Sequence, residues 1–316
     1  MEKILVFGGA GFIGTTLCIT LLDMGYYVIC IDNLSTGCIE NIQHIIQTTC
    51  NPKNFVFQKI DVLEISNYNM PDDIAFIFHL ACPASPAKYQ SDAVQTLNIC
   101  FNGTQNILNL AKKNGARVIF TSTSEVYGDP HVSPQKESYW GNVNCTGIRS
   151  CYDEGKRVAE SLIINYGKQY GINYGIVRIF NTYGPNMSKD DGRVVTNFID
   201  QAVTKQPLTI YGNGLHTRSF CYITDLVQGL IKMAESNEKG PINIGNPEEI
   251  TILKLADSVN RICNNTAAHT FLHLPADDPS NRCPDITLER TLLGWSPTID
   301  IESGLLKLIK RPTTSF

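Results

Sequence analysis

Short apolar runs alternate with longer amphipathic stretches through the first half of the chain. Ile4–Phe7, Tyr27–Ile31, Phe55–Gln58, Ile74–Leu80, Val118–Thr121 and Tyr174–Phe180 are rich in Ile, Val and Phe. They read as near-continuous apolar runs, the pattern of strands covered on both faces. Between them Ile13–Met24, Ala93–Asn114 and Tyr152–Gln169 have the length and patterning of helices. Strands alternating with helices predict an α/β fold, a doubly wound parallel sheet with helices on both faces. After residue 182 the rhythm loosens and Gly, Pro, Asn and Asp become frequent. One further strand-like piece, Ile242–Ile244, ends in Gly245-Asn246-Pro247. The second half therefore predicts a smaller C-terminal lobe interleaved with the sheet. The expected division is 1–181 for the sheet domain, with 215–245 returning to it, and 182–214 plus 246–316 for the lobe. Ligands of open α/β sheets bind outside the carboxyl ends of the strands, which puts the expected site between the two parts.

The turn after the first strand identifies a ligand class. Gly8-Gly9-Ala10-Gly11-Phe12-Ile13-Gly14 opens the first predicted helix with Gly-x-x-Gly-x-x-Gly spacing. Glycines there let the backbone turn tightly and approach a pyrophosphate, whose charge meets the helix N-terminus. By itself such a cluster is a weak signal, since any tight strand-to-helix turn favours glycine. Asp32 strengthens it, closing the second strand about twenty residues on, where a carboxylate accepts from adenosine ribose hydroxyls. No Arg or Lys occurs within Asn33–Gly37, so a 2′-phosphate would meet a carboxylate and no cation, which favours NAD over NADP. Asp61-Val62, after the third strand, is a candidate for adenine. The sheet domain is thus expected to be of the Rossmann type.

Tyr152-Asp153-Glu154-Gly155-Lys156 places a phenol and an ammonium four apart, on one helix face. A free tyrosine titrates near pH 10. A cation within about 4–6 Å stabilises the phenolate, which would make Tyr152 a base for a hydroxyl proton while hydride leaves the same carbon. The preceding predicted strand ends in Thr121-Ser122-Thr123-Ser124-Glu125, polar residues at a carboxyl end and so facing the ligand crevice. Thr123 is a candidate donor to the reacting oxygen, and Glu125 a carboxylate beside an apolar strand, where pKa values are often perturbed.

Composition narrows the classes. A net charge of −4 gives no reason to expect nucleic acid or an anionic membrane as partner. No segment approaches the length of apolar sequence that spans a bilayer. Eleven cysteines stand without Cys-x-x-Cys spacing, which with the sheet pattern favours reduced thiols and a cytoplasmic location. His269 and His273 are four apart, yet no carboxylate or cysteine completes a metal site near them, so no metal is expected.

Together these residues resemble the extended short-chain dehydrogenase/reductase superfamily, and within it the UDP-glucuronate decarboxylases. The resembling segments are 79–86 (HLACPASP), Thr121–Pro130, Cys151–Glu160, 178–185 (RIFNTYGP), 191–195 (DGRVV), Tyr211–Phe220, Asn243–Glu249 and 277–282 (DDPSNR). The resemblance implies NAD-dependent oxidation of a UDP-sugar at C4, loss of carbon dioxide and re-reduction to UDP-xylose. Tyr152 would be the base, with Lys156, Thr123, Ser124 and Glu125 in the catalytic set. It implies cofactor contacts from Gly8, Gly11, Phe12, Ile13, Gly14, Asp32, Asn33, Asp61, Val62, Leu80 and Lys156. It implies substrate contacts from Pro83, Tyr89, Glu125, Arg149, Asn181, Arg193, Val194, Tyr211, Arg218 and Arg282. Guanidinium forks suit diphosphate and carboxylate. A homodimer paired through the helices near Ala93–Leu110 and Tyr152–Tyr166 is also implied.

Some positions depart from the superfamily pattern. Cys100 stands where an Asn is usual ahead of Gly103-Thr104, with Asn102 two residues on; Cys38 and Asn186 replace frequent arginines, and Cys221 a usual Gln. These bear on cofactor affinity and rate more than on reaction type. A related 4,6-dehydratase carries an acid where this chain has Ser124, and a 4-epimerase usually lacks a Glu at position 125. A decarboxylase that releases the 4-keto pentose is separated from the full cycle only weakly by sequence. A sensor that merely binds NAD needs none of Thr123, Glu125, Tyr152 and Lys156.

Overall fold

A computed structural model describes residues 1–188, 191–274, 279 and 281–309. Its centre is a seven-stranded sheet. Six strands are β1 (Lys3–Phe7), β2 (Tyr27–Asp32), β3 (Phe55–Lys59), β4 (Ile74–His79), β5 (Arg117–Thr123) and β6 (Tyr174–Ile179), and the seventh is Ile242–Ile244. The order is β3-β2-β1-β4-β5-β6 followed by Ile242–Ile244, every pair parallel. The expected Rossmann-type doubly wound sheet is borne out, with its topological switch between β1 and β4.

The apolar runs are continuous because both faces are covered. In β1, Ile4 and Val6 enter one core while Leu5 and Phe7 enter the other. Helices α1 (Phe12–Asp23) and α2 (Ile39–Thr48) cover the first face through residues such as Leu17, Leu21, Ile42 and Ile45. The short helices α3 (Pro86–Ser91) and α4 (Ala93–Asn98) lead into α5 (Thr104–Asn114), which with α6 (Ser150–Tyr170) covers the second face through Ile107, Leu108, Ala159 and Ile163. The stretch 93–114 is helical as predicted, but Ile99–Gly103 widens into a π turn. Gly103 leaves no room for a Cβ, which would lie 2.9 Å from Val62 Cγ1.

The second half is more ordered than its composition suggests. Helices α7 (Val194–Val203), α8 (Ile223–Glu235) and α9 (Ile252–Cys263) add Phe198, Leu226, Leu230, Leu255 and Val259 to the first core. Residues 217–219 pair antiparallel with 249–251, and 209–211 pair parallel with 270–272. No helix among the described residues is long and apolar enough to cross a membrane.

One buried carboxyl sets a pH dependence. Glu289 is fully buried, neither carboxyl oxygen has a hydrogen-bond partner among the described residues, and burial pushes its pKa up to about 10. An acid held protonated by the fold stabilises it below the unfolded pKa and loses that contribution as pH rises toward the folded one. Glu289→Gln, which cannot ionise, is therefore expected to melt above wild type at pH 8 and to converge with it near pH 4. Parallel wild-type and variant melting curves across that range would contradict the assignment.

Candidate active site

The site grows from the carboxyl ends of β1, β2, β4 and β5, where a cleft of about 1180 Å³ opens. The turn after β1 is shaped by its glycines. Gly8 has φ +82°, and a Cβ on it would lie 2.8 Å from the Ala81 nitrogen of the strand end opposite. A Cβ on Gly14 would lie 2.2 Å from the Gly8 carbonyl oxygen, so the first turn of α1 closes directly on the loop. Gly11 precedes α1 with no side chain capping the helix start, and Gly11, Phe12, Ile13 and Gly14 all line the cleft.

Asp32 ends β2 and is nearly buried. Its Oδ2 accepts from Ala10 N at 3.0 Å and its Oδ1 from Leu34 N at 2.8 Å. Burial pushes its pKa up while these two amides oppose the shift. Asn33, Val62 and Leu80 border the same end. Asp61 is not among the residues that line the cleft but is hydrogen-bonded to Asn33, which is. It accepts from Asn33 Nδ2 at 2.7 Å and from Leu63 N at 2.8 Å, which makes it a brace for the loops after β2 and β3. A glycine turn on a helix N-terminus, a buried carboxylate one strand away and no cation in residues 33–37 fit a dinucleotide without a 2′-phosphate.

Tyr152 and Lys156 lie one turn apart on α6, both buried, against the end of β5. Tyr152 stacks on Tyr89 with ring centroids 4.9 Å apart, and the Thr123 hydroxyl is placed to stabilise its phenolate. Lys156 Nζ donates to the Thr121 carbonyl at 2.8 Å and sits 5.8 Å from the Tyr152 ring centroid. Thr121 is its one hydrogen-bond partner among the described residues. In the free protein burial governs the Tyr152 phenol. Burial raises the phenol well above its ordinary value, the Cys82 thiol adds to this, and the Thr123 hydroxyl opposes it. The ammonium faces a carbonyl rather than the phenol, so desolvation dominates and the phenol keeps its proton in the free protein.

A second cluster adjoins the first. Arg149 donates to Glu125 Oε2 at 2.6 Å, and Arg282 reaches the same oxygen at 2.9 Å while its other arm donates to the Ser124 carbonyl at 2.6 Å. Burial would raise the Glu125 pKa, but Arg282 and then Arg149 hold it below the ordinary carboxylate range. Glu125 is thus a fixed anion shared by two cations, with no proton to give. Asp153, beside Tyr152, has an Oδ1 buried without a partner among the described residues. Burial and then the charge of Glu125 push it up to about 7.

Pro83, Asn181, Val194, Tyr211 and Arg218 line the rest of the cleft. Arg193 lines it too but is paired in its own loop with Asp191, its Nη2 donating to Oδ2 at 2.8 Å. Arg218 donates to the Thr217 and Pro279 carbonyls at 2.9 and 2.5 Å. Asp277, Asp278 and Ser280 of the resembling segment lie outside the described residues. Asn102 does not replace the side chain missing at Cys100: it is exposed and donates to Asn98 Oδ1 at 2.5 Å. Sequence reasoning passed over Asp153 and Cys82, the latter a cleft residue whose sulfur lies 3.5 Å from that of Cys100. Asp153 sits inside the Tyr-x-x-x-Lys span and was open to notice there; the cysteine contact joins positions eighteen apart on different elements and leaves no periodic signal.

Comparison with known proteins agrees with this geometry. Residues 4–245 match the NAD dependent epimerase/dehydratase family. UDP-glucuronic acid decarboxylase 3 of Arabidopsis thaliana is 49% identical over 304 residues, covering 96% of this chain and 86% of the relative. UDP-glucuronic acid decarboxylase 1 of Danio rerio is 46% identical over 309 residues, covering 98% of this chain and 72% of the relative. Among solved structures, UDP-glucuronic acid 4-epimerase from Bacillus cereus, in complex with UDP-glucuronic acid and NAD, superposes with a TM-score of 0.83 at 31% identity, over 96% of each chain.

Proposed function

The chain belongs to the NAD dependent epimerase/dehydratase family, and from that membership we propose that it converts UDP-glucuronate to UDP-xylose as an NAD-dependent carboxy-lyase. The observation that carries this reading is that the Tyr152–Lys156–Thr123 cluster and the Arg149–Glu125–Arg282 cluster share one cleft with the glycine turn. A hydroxyl to be oxidised and a carboxylate to be expelled need those two kinds of environment side by side.

NAD, when bound, supplies the hydride acceptor for C4 and returns the hydride at the end. Gly8, Gly11, Gly14 and Asp32 would hold its pyrophosphate and adenosine ribose, Phe12, Ile13, Asn33, Val62 and Leu80 would border it, and Lys156 would hold the nicotinamide ribose. Tyr152 would take the C4 hydroxyl proton as a phenolate, the form that Lys156 and the positive charge brought by NAD when bound would favour over the protonated phenol of the free protein. The C4 ketone is β to the C5 carboxylate, so carbon dioxide departs and leaves its bonding pair in an enolate. The Thr123 hydroxyl, whose oxygen already accepts the Glu125 N–H at 3.2 Å, keeps its own hydrogen to donate to that developing charge. The enolate then takes a proton from water at C5, and Tyr152 gives its own proton back to the C4 oxygen when C4 is reduced. Arg149 and Arg282 outnumber Glu125 by one positive charge, which suits an anionic sugar, and Asn181, Arg193, Val194, Tyr211 and Arg218 would receive the UDP portion, with Pro83 and Tyr89 against the sugar. In this reading 182–214 and 246–316 form the sugar-nucleotide lobe.

Purified protein incubated with UDP-glucuronate is expected to release carbon dioxide and give UDP-xylose by NMR, with no net consumption of added NAD. A 6-deoxy-4-keto product from a hexose nucleotide, or accumulation of the 4-keto pentose with stoichiometric NADH, would replace this reading. The protein is further read as a homodimer, supported by Val94, Leu97 and Phe101 exposed along α4 and the π turn, and Val158 on the adjacent α6. A single 35.0 kDa species in sedimentation would remove that assembly. A reducing, cytoplasmic compartment is supported by eleven unpaired cysteines.

A further inference from the structure

Two thiols meet behind the Tyr152–Lys156 pair. Cys82, on the loop after β4, lines the cleft and packs with Tyr89 and Tyr152. Cys100, in the π turn, is 3% exposed, and its sulfur lies 3.5 Å from that of Cys82. A Cβ on Gly155 would fall 2.9 Å from the Cys100 sulfur, which fixes that thiol against the helix turn carrying Tyr152 and Lys156. We propose that Cys82 and Cys100 form an oxidisable dithiol, a modification site at which a hydroperoxide closes a disulfide beside the cleft. It goes beyond the decarboxylase reading, and only its effect on turnover rests on that reading.

The reactive partner is distinguishable. The hydrogen bond from Cys100, and further the charge of Lys156, hold the Cys82 thiol below its ordinary pKa against burial, whereas Cys100 is raised. Cys82 is also the one that reaches the cleft, so it carries the thiolate and the access that oxidation requires. Its sulfur attacks one peroxide oxygen, forming S–O and breaking O–O; the departing hydroxide takes the Cys82 proton and leaves as water. The Cys100 sulfur then attacks the Cys82 sulfur, forming S–S and breaking S–O, and the second hydroxide leaves with the Cys100 proton as a second water. The two thiols lose two electrons together and the peroxide gains them. Closing to a disulfide length of about 2.05 Å requires the sulfurs to approach by roughly 1.5 Å. That movement draws the Cys82 loop away from Tyr152 or shifts the π turn under Gly155.

The chain holds an internal comparison. Cys18 and Cys30 also lie close together beneath the glycine turn, where a Cβ on Gly9 would fall 2.5 Å from the Cys30 sulfur and 3.3 Å from that of Cys18, but both are fully buried in the first core and neither lines the cleft. Cys151 is also near, its thiol donating to the Tyr89 carbonyl at 3.5 Å. Among the described residues no group of three His, Cys, Asp or Glu side chains is arranged to hold a metal, so the pair is not part of a larger ligand set.

Hydrogen peroxide treatment of the full-length native protein, thiol alkylation and tryptic mapping test this. The expected result is loss of two hydrogens in intact mass and a cross-link between the peptides spanning 60–88 and 89–112. Turnover of UDP-glucuronate is expected to fall at least tenfold and to return with dithiothreitol. Cys100→Asn should give no cross-link, with Cys82 stopping instead at a sulfenic acid that dimedone labels. Alkylation of both Cys82 and Cys100 after peroxide has oxidised the exposed Cys145, a cross-link within 4–53, a bond from Cys82 to Cys151, or a Cys82–Cys100 bond with unchanged turnover would each overturn the proposal. The peptide map reads the bond directly, so a protein inactive on UDP-glucuronate would sink the functional reading and still decide the cross-link.

Discussion

Tyr152→Phe is expected to lower kcat for UDP-glucuronate by between about 10² and 10⁴, the range that a positioned general acid–base supplies. The substitution removes one hydroxyl and keeps the ring, so the stack on Tyr89 at 4.9 Å and the burial of α6 against β5 persist. What disappears is the proton carrier beside Thr123. Neither of the two charged side chains beside it in the cleft can take over. Glu125 is a carboxylate fixed between Arg282 and Arg149, and Lys156 is committed to the Thr121 carbonyl. The glycine turn and Asp32 are untouched, so NAD released on denaturation should match wild type. Steady-state kinetics with cofactor quantification separates the two effects. A variant within threefold of wild-type kcat would remove Tyr152 from proton transfer.

Arg282→Ala is expected to cost about 3–5 kcal/mol of folding stability, the usual result of deleting one partner of a buried ion pair. Arg282 is 1% exposed, the largest fully buried side chain described. Its removal strands the Ser124 carbonyl, which it meets at 2.6 Å, and leaves Glu125 with Arg149 alone. The loss should appear as a drop in melting temperature on the order of 10 °C. It also has a pH signature. A carboxylate whose pKa is depressed by the fold contributes stability above its unfolded pKa and loses it as pH falls through the folded value. Glu125 is such a group, with Arg282 the largest of the depressing charges. The gap between wild type and Arg282→Ala should therefore be widest near neutrality and shrink as pH falls below about 4.5. Denaturant titrations at pH 7 and pH 4 measure both. A difference below 1 kcal/mol at pH 7 would show that the pair is replaceable.

The Glu125 cluster also bears on reaction type. A dehydratase-like acid is absent at position 124, where Arg282 holds the backbone carbonyl of a serine. The serine, fully buried, offers neither a titrating proton nor a charge there. The geometry instead collects cations where a carboxylate would enter.

What the sequence determined by itself was whatever repeats over a few residues. Apolar runs bounded by turn formers located all seven strands of the sheet, because burial on both faces leaves that pattern wherever a parallel strand passes through a core. The glycine turn, Asp32 and the Tyr152–Lys156 spacing were legible for the same reason: each is a local geometric requirement of a strand end or one helix turn. The tertiary structure decided what depends on elements far apart in the chain. Arg282 reaches Glu125 across 157 positions, Asp61 braces Asn33 of the neighbouring loop, and burial governs the Tyr152 phenol in the free protein. Cys82 and Cys100 meet only because a π turn presses against Gly155. Charge, proton affinity and thiol proximity are set by what desolvates and faces a group, and sheet closure, not sequence spacing, chooses those neighbours.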